Sequence, residues 1–131
     1  SIAEAREDYQ ITLDLVADDP DMENYFPTGF IPVATPGDGS RLLVNCRKGS
    51  PTHGSVYDLF HGIGATRLAN SLSAHFETLC AFIEEGALTI NDAGQVEADF
   101  DKTREMGRRI NPGCDGYDDT LPPAYETMEW R

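Results

Sequence analysis

Residues 25 to 60 constrain the fold more than any other stretch, because three short apolar runs alternate there with turn-forming residues. The first run, Phe30-Ile31-Pro32-Val33-Ala34, is entered through Tyr25-Phe26-Pro27-Thr28-Gly29. It is left through Pro36-Gly37-Asp38-Gly39, which supplies a fixed φ and positions free to take φ > 0. The second is Leu42-Leu43-Val44-Asn45-Cys46, and the third is Ser55-Val56-Tyr57-Asp58-Leu59-Phe60, begun just after Gly54. This spacing predicts successive strands of an antiparallel β-meander. With helices packed on it, the chain is expected to be α+β.

Residues 1–131 are read as a single domain, one that buries about two thirds of the surface its unfolded chain exposes and so holds a core without staples. No apolar run approaches the ~18 residues needed to span a bilayer, and the opening residues lack the charged, apolar and small-residue succession of a signal peptide. Cys46, Cys80 and Cys114 are widely spaced, and none forms a CxxC or a zinc-spaced Cys/His pair. Free thiols in a reducing cytoplasm are therefore expected, with no metal.

The net charge of −13 is unevenly spread. Residues 1 to 40 hold nine carboxylates against Arg6 alone, whereas 41 to 75 hold Arg41, Arg47, Lys48 and Arg67 against Asp58 alone. A field of this sign repels phosphate backbones and anionic headgroups, so neither nucleic acid nor a membrane surface is an expected partner. It attracts a basic protein. Solubility alone is the competing explanation for the excess acid.

Taken in order, Ile2, Ala5, Tyr9, Leu13 and Val16 recur at helical spacing, and Asp18-Asp19-Pro20-Asp21 ends the helix they imply. Tyr9, Ile11, Leu13 and Leu15 also alternate as a strand would, but the stripe covers the longer span. From Thr66 the period changes to 3.6, with Leu68, Leu72, Phe76, Leu79 and Ile83 as the apolar stripe, widened by Ala65, Ala69 and Cys80, and Gly86 as the stop. Leu88-Thr89-Ile90 and the residues around Val96 read as two extended pieces joined by the Asn91-Asp92-Ala93-Gly94 turn. Asp99 or Asp101 then caps a helix over Lys102 to Ile110, with Phe100, Met106 and Ile110 as its apolar face and Arg108 and Arg109 at its negative end. The tail from Cys114, rich in Gly, Asp and Pro, is expected to lie partly extended over the surface.

Several motifs fail on inspection. Asp18, Asp19, Asp21 and Glu23 do not make a calcium loop, since Pro20 and Phe26 break the EF-hand pattern. The basic loop Arg47-Lys48-Gly49-Ser50-Pro51-Thr52-His53-Gly54 lacks the Walker pattern and reads as a flexible hairpin connection. His53 and His61 stand at opposite ends of the third strand, too far apart to share a metal. Ser71 and His75 are spaced by one helical turn, but no third group orients them and no nucleophile elbow holds the serine.

The order Phe30-Ile31-Pro32-Val33-Ala34, Gly37-Asp38-Gly39, Leu42-Leu43-Val44-Asn45, Gly54-Ser55-Val56-Tyr57 and Ala69-Asn70-Ser71-Leu72-Ser73-Ala74-His75-Phe76 resembles the SUKH superfamily over roughly residues 25 to 85. That superfamily holds fungal cell-wall-assembly regulators and bacterial toxin-immunity proteins. Its members usually begin with a helix ending in a Leu-Pro-x-x-Tyr segment. Here Leu121-Pro122-Pro123-Ala124-Tyr125 has that look at the other end, and the family's amino-terminal portion is expected to be missing from this chain.

The resemblance implies a protein-binding module with no enzymatic chemistry and no cofactor, of the kind that binds and neutralises a toxin, a basic nuclease being one that would suit the charge. Asp18, Asp19, Asp21, Glu23 and Asp38 are the carboxylates expected to face such a partner. Tyr25 and Phe26 are its apolar anchors, although the same two rings also suit the core. Two alternatives stay open. One is a regulatory or scaffold domain like the fungal relatives, and the other a small enzyme or ligand-binding protein using His53, His61, Asp58 or Cys46.

Overall fold

The computed structural model describes residues 2–18, 28–35, 40–60 and 64–124. The order of elements is α1 (Ile2–Asp18), β1 (Phe30–Ala34), β2 (Arg41–Asn45), β3 (Val56–Phe60), β4 (Gly64–Ala69), α2 (Leu72–Glu84), β5 (Leu88–Ile90), β6 (Val96–Ala98) and α3 (Phe100–Ile110). The first four strands form an antiparallel sheet in the order β1-β2-β3-β4, and β5 and β6 form a separate hairpin. This is an α+β fold built on a β-meander.

Register sets what each face of the sheet carries. Phe30 opposes Asn45, Pro32 opposes Leu43, Leu43 opposes Tyr57 and Leu59 opposes Ala65. Side chains on that face close the main core, where Phe30, Leu43, Tyr57, Leu59 and Ala65 are buried and the Phe30 and Tyr57 rings meet edge to face at 5.2 Å. Helix α1 packs on β1 and lays Tyr9 against this cluster. Thus the period of 3.6 prevails over the competing alternation between Tyr9 and Leu15. Ile2 nevertheless remains exposed, so the apolar stripe does not run the whole helix.

A second, smaller core lies between α2, β5 and α3. Phe82, Ala87 and Met106 are buried there, with Leu79, Ala81, Leu88 and Tyr117 packed around them. The chain reaches β5 through Gly86, whose φ of +70° lets the Ala87 N–H return to the Phe82 carbonyl at 2.7 Å. The hairpin turn is held by Asn91, whose side-chain oxygen accepts from the backbone N–H groups of Ala93 and Gln95. Asp99 caps α3 by accepting from the Lys102 N–H at 3.1 Å.

Three expectations are corrected. The segment from Gly64 to Ala69 is a strand, and α2 begins only at Leu72, after Ser71 accepts the Ala74 N–H as N-cap. Leu68 satisfied a helical spacing by coincidence, while pairing with β3 fixes the backbone of its neighbours. The buried face of α2 is His75, Thr78 and Phe82, so Phe76 and Ile83 of the predicted stripe point outward. Phe100 lies outside the apolar face assigned to α3 and is 81% exposed.

The tail is also more closely held than its composition predicts. Cys114 is fully buried, and Ala124 joins the main core. Among the described residues no helix is long and apolar enough to cross a membrane.

Candidate partner-binding surface

Of the residues expected to face a partner, Asp18 is described, as the exposed last residue of α1. Asp19, Asp21, Glu23, Tyr25, Phe26 and Asp38 lie outside the described residues. What the structure does reveal is where the positive charge goes.

Arg47 turns inward over the Phe30 ring, with its guanidinium carbon 5.6 Å from the centroid, and its Nε–H donates to the Thr28 carbonyl. Arg67 donates to the Gly113 carbonyl, and Lys102 to that of Glu85. Arg109 pairs with the Glu85 carboxylate at 3.2 Å. Arg104 and Arg108 both reach Asp119, at 3.2 and 2.9 Å, and Arg108 also donates to the Tyr117 carbonyl. Exposed pairs of this kind contribute ~1 kcal/mol or less to stability. Arg104, Arg108 and Arg109 thereby offset carboxylates at their own surface, and over the whole chain the acid remains in excess.

The loop between β2 and β3 is locked, not flexible. Asn45 is fully buried and donates both amide hydrogens, to Ser50 Oγ and Thr52 Oγ1, each at 2.9 Å. Its side-chain oxygen accepts the Arg47 N–H, and the Tyr57 hydroxyl donates to Thr52 at 2.9 Å. A buried amide demands this satisfaction, and meeting it fixes the whole connection. His53, from the same loop, is exposed and its Nδ1 donates to the Arg47 carbonyl.

The described residues of the enzymatic alternative, His53, Cys46 and Asp58, belong to different segments. Cys46 is exposed just past β2, Asp58 lies in the middle of β3 on the face away from the main core, and His61 is outside the described residues. Ser71 and His75 have separate duties. The serine oxygen caps α2, while His75 is buried with its Nδ1 unpartnered among the described residues, and burial pushes its pKa down. Among the described residues no group of three or more His, Cys, Asp or Glu side chains is placed to hold a metal ion.

A cleft of about 180 Å³ opens between Tyr57, Arg67, Asp115 and the Leu121–Ala124 segment. Its polar groups are turned onto the backbone. The Asp115 carboxylate accepts the Arg67 N–H at 2.8 Å with one oxygen and the Ala124 N–H at 2.7 Å with the other. Gly116 crosses β4 so closely that a Cβ would sit 2.9 Å from the Arg67 carbonyl oxygen. Burial raises the pKa of Cys114 against the lowering effect of Arg67. It also pushes Tyr117 up to about 12, with Cys114 and Asp58 adding to the rise. Both groups stay protonated at neutral pH, which suits a seam and not a nucleophile.

Comparison with protein-family models, with curated proteins and with solved structures yields no match. Sequence reasoning missed the engagement of the cations, since the partner of Arg67, the Gly113 carbonyl, lies far along the chain and those of Arg108 lie in the tail read as loose. The acidic stretch Asp118-Asp119 was the available signal.

Proposed function

We propose that this chain is a non-enzymatic protein-binding module of the immunity type, which docks on a basic toxin and neutralises it. One observation carries the reading: the net charge is −13, and Arg47, Arg67, Lys102, Arg104, Arg108 and Arg109 are each held by a carbonyl or carboxylate of the protein itself, so the excess acid dominates the field around the chain. Such a field steers a cationic partner and raises its association rate by roughly 10- to 10³-fold at low ionic strength. A toxin that acts on nucleic acid carries a basic phosphate-binding surface, which an acidic inhibitor can occupy. The order of motifs that resembles the SUKH superfamily supports the same reading.

The decisive experiment assays the toxin encoded beside this chain's gene, with and without the purified protein, at low and high salt. Stoichiometric loss of toxicity, with affinity weakening as salt rises, is expected. Undiminished toxicity, or an affinity indifferent to salt, overturns the reading.

A further inference from the structure

We infer that the outer face of α2 is the docking strip for this partner, and that the partner brings apolar side chains ringed by Lys or Arg; this rests on the reading above that the partner is a basic protein. At ~3.6 residues per turn, Leu72, Phe76, Leu79 and Ile83 fall in one row along the helix. Leu79 packs against the small core of Phe82, Ala87 and Met106, but the rest of the row is not spent there. Leu72, Phe76 and Ile83 are 37, 57 and 63% exposed, whereas the neighbouring row of His75, Thr78 and Phe82 is buried. Single exposed apolar residues are ordinary, but Leu72, Phe76 and Ile83 aligned on one side of a regular helix match the spacing of helix-in-groove recognition.

Charge selects the occupant. Glu77 and Glu84 lie one position past Phe76 and Ile83 and border the row on its solvent side, and α2 contains neither Lys nor Arg. Ser73 Oγ donates to the Glu77 carboxylate at 2.8 Å and fixes it at this border. Among the described residues no ion pair engages Glu77 or Glu84. An apolar strip with an acidic border, on a helix whose nearest cations, Lys102 and Arg109, are held at Glu85 past its end, fits a partner of the opposite pattern. A second copy of this chain fits poorly, because a symmetric contact sets each Glu77–Glu84 row against another surface of the same sign.

The test uses the full chain and three synthetic probes: an amphipathic helix with one Leu face and one Lys face, polylysine of equal charge, and the corresponding Leu–Glu helix. The Leu–Lys helix is expected to bind more tightly than polylysine at low salt. In the Phe76→Ser/Ile83→Ser variant its affinity should fall by about tenfold or more while polylysine binding is unchanged. Glu77→Lys/Glu84→Lys should weaken both cationic probes. All four substitutions are at exposed positions, and circular dichroism verifies the fold of each variant.

Equal binding of the Leu–Lys helix to wild type and Phe76→Ser/Ile83→Ser overturns the strip while the basic-partner reading stands. Failure of both cationic probes to bind wild type overturns the two together. Equal binding of the Leu–Glu helix overturns the charge complementarity. A concentration-dependent dimer that Phe76→Ser dissolves makes a second copy the occupant, and overturns the inference as well.

Discussion

The side-chain amide of Asn111 donates to the hydroxyl of Thr78 at 2.7 Å, and Thr78 in turn donates to the Ala74 carbonyl at 2.7 Å. Both side chains are fully buried, so a polar relay joins the end of α3 to the inner face of α2. Thr78→Val keeps the shape and removes the acceptor, leaving a buried amide unpaired at a cost of ~1–3 kcal/mol. The expected result is a lower denaturant midpoint with an unchanged slope. Thr78→Val/Asn111→Leu should recover part of the loss, since neither side chain then carries an unmet polar group. If the single variant is as stable as the wild type, the relay is not a stabilising element.

Asn45 performs the corresponding task for the loop between β2 and β3. Asn45→Ala deletes two donated hydrogen bonds and the acceptor for the Arg47 N–H, leaving Thr52 with the Tyr57 hydroxyl and Ser50 with Thr52. A loss of about 2–3 kcal/mol is expected, together with faster hydrogen exchange from residues 47 to 54. Exchange in that loop unchanged from wild type would show that the turn backbone, and not Asn45, holds it.

These two asparagines show what the sequence could and could not disclose. The meander was legible because turn residues bound each apolar run, and strands β1, β2 and β3 lie within a residue of where the spacing puts them. Strand β4 was not, since Ala65, Arg67 and Ala69 have little β-propensity and Leu68 falls in step with the helix that follows. The inner face of α2 was hidden for another reason. His75 and Thr78 are polar, and the burial of Thr78 is made tolerable by the Ala74 carbonyl together with Asn111, which is distant in sequence. The tail read as loose because its anchors come from other segments: Asp115 holds the Arg67 and Ala124 N–H groups, and Arg104 and Arg108 reach Asp119. As for the partner surface, the charge excess was plain in the composition. The internal use of Arg67 and Arg108 needed the fold.

Gly107 offers a substitution whose sign is reversed by packing. In the middle of an exposed helix, replacing Gly by Ala stabilises by ~1 kcal/mol. Here Gly107 is buried in α3 and a Cβ would meet the Tyr117 ring at 2.3 Å, a distance that forces helix and ring apart. Gly107→Ala is therefore expected to destabilise, by ~1–3 kcal/mol, through displacement of Tyr117 from its edge-to-face contact with Phe82 at 6.0 Å. In a Tyr117→Ala background the same change should revert to neutral or stabilising. Thermal melts of the two singles and the double measure this coupling, and simple additivity would refute it.

His75 makes stability depend on pH in a window that can be assigned. Its imidazole is buried on the inner face of α2, its Nδ1 has no partner among the described residues, and burial lowers its pKa from the ordinary value of 6.5. The unfolded chain therefore binds a proton at a pH where the folded chain does not, and stability rises with pH across that interval. This contribution is fully present above about pH 6.5, falls as pH drops below it, and reaches its floor once the lowered folded pKa is passed. Between pH 7 and 5.5, where most exposed carboxylates remain charged, the wild type should lose more stability than His75→Leu. Chemical denaturation of both proteins at half-unit steps measures the difference. Parallel curves over that range would show that His75 remains neutral without cost, or is protonated equally in both states.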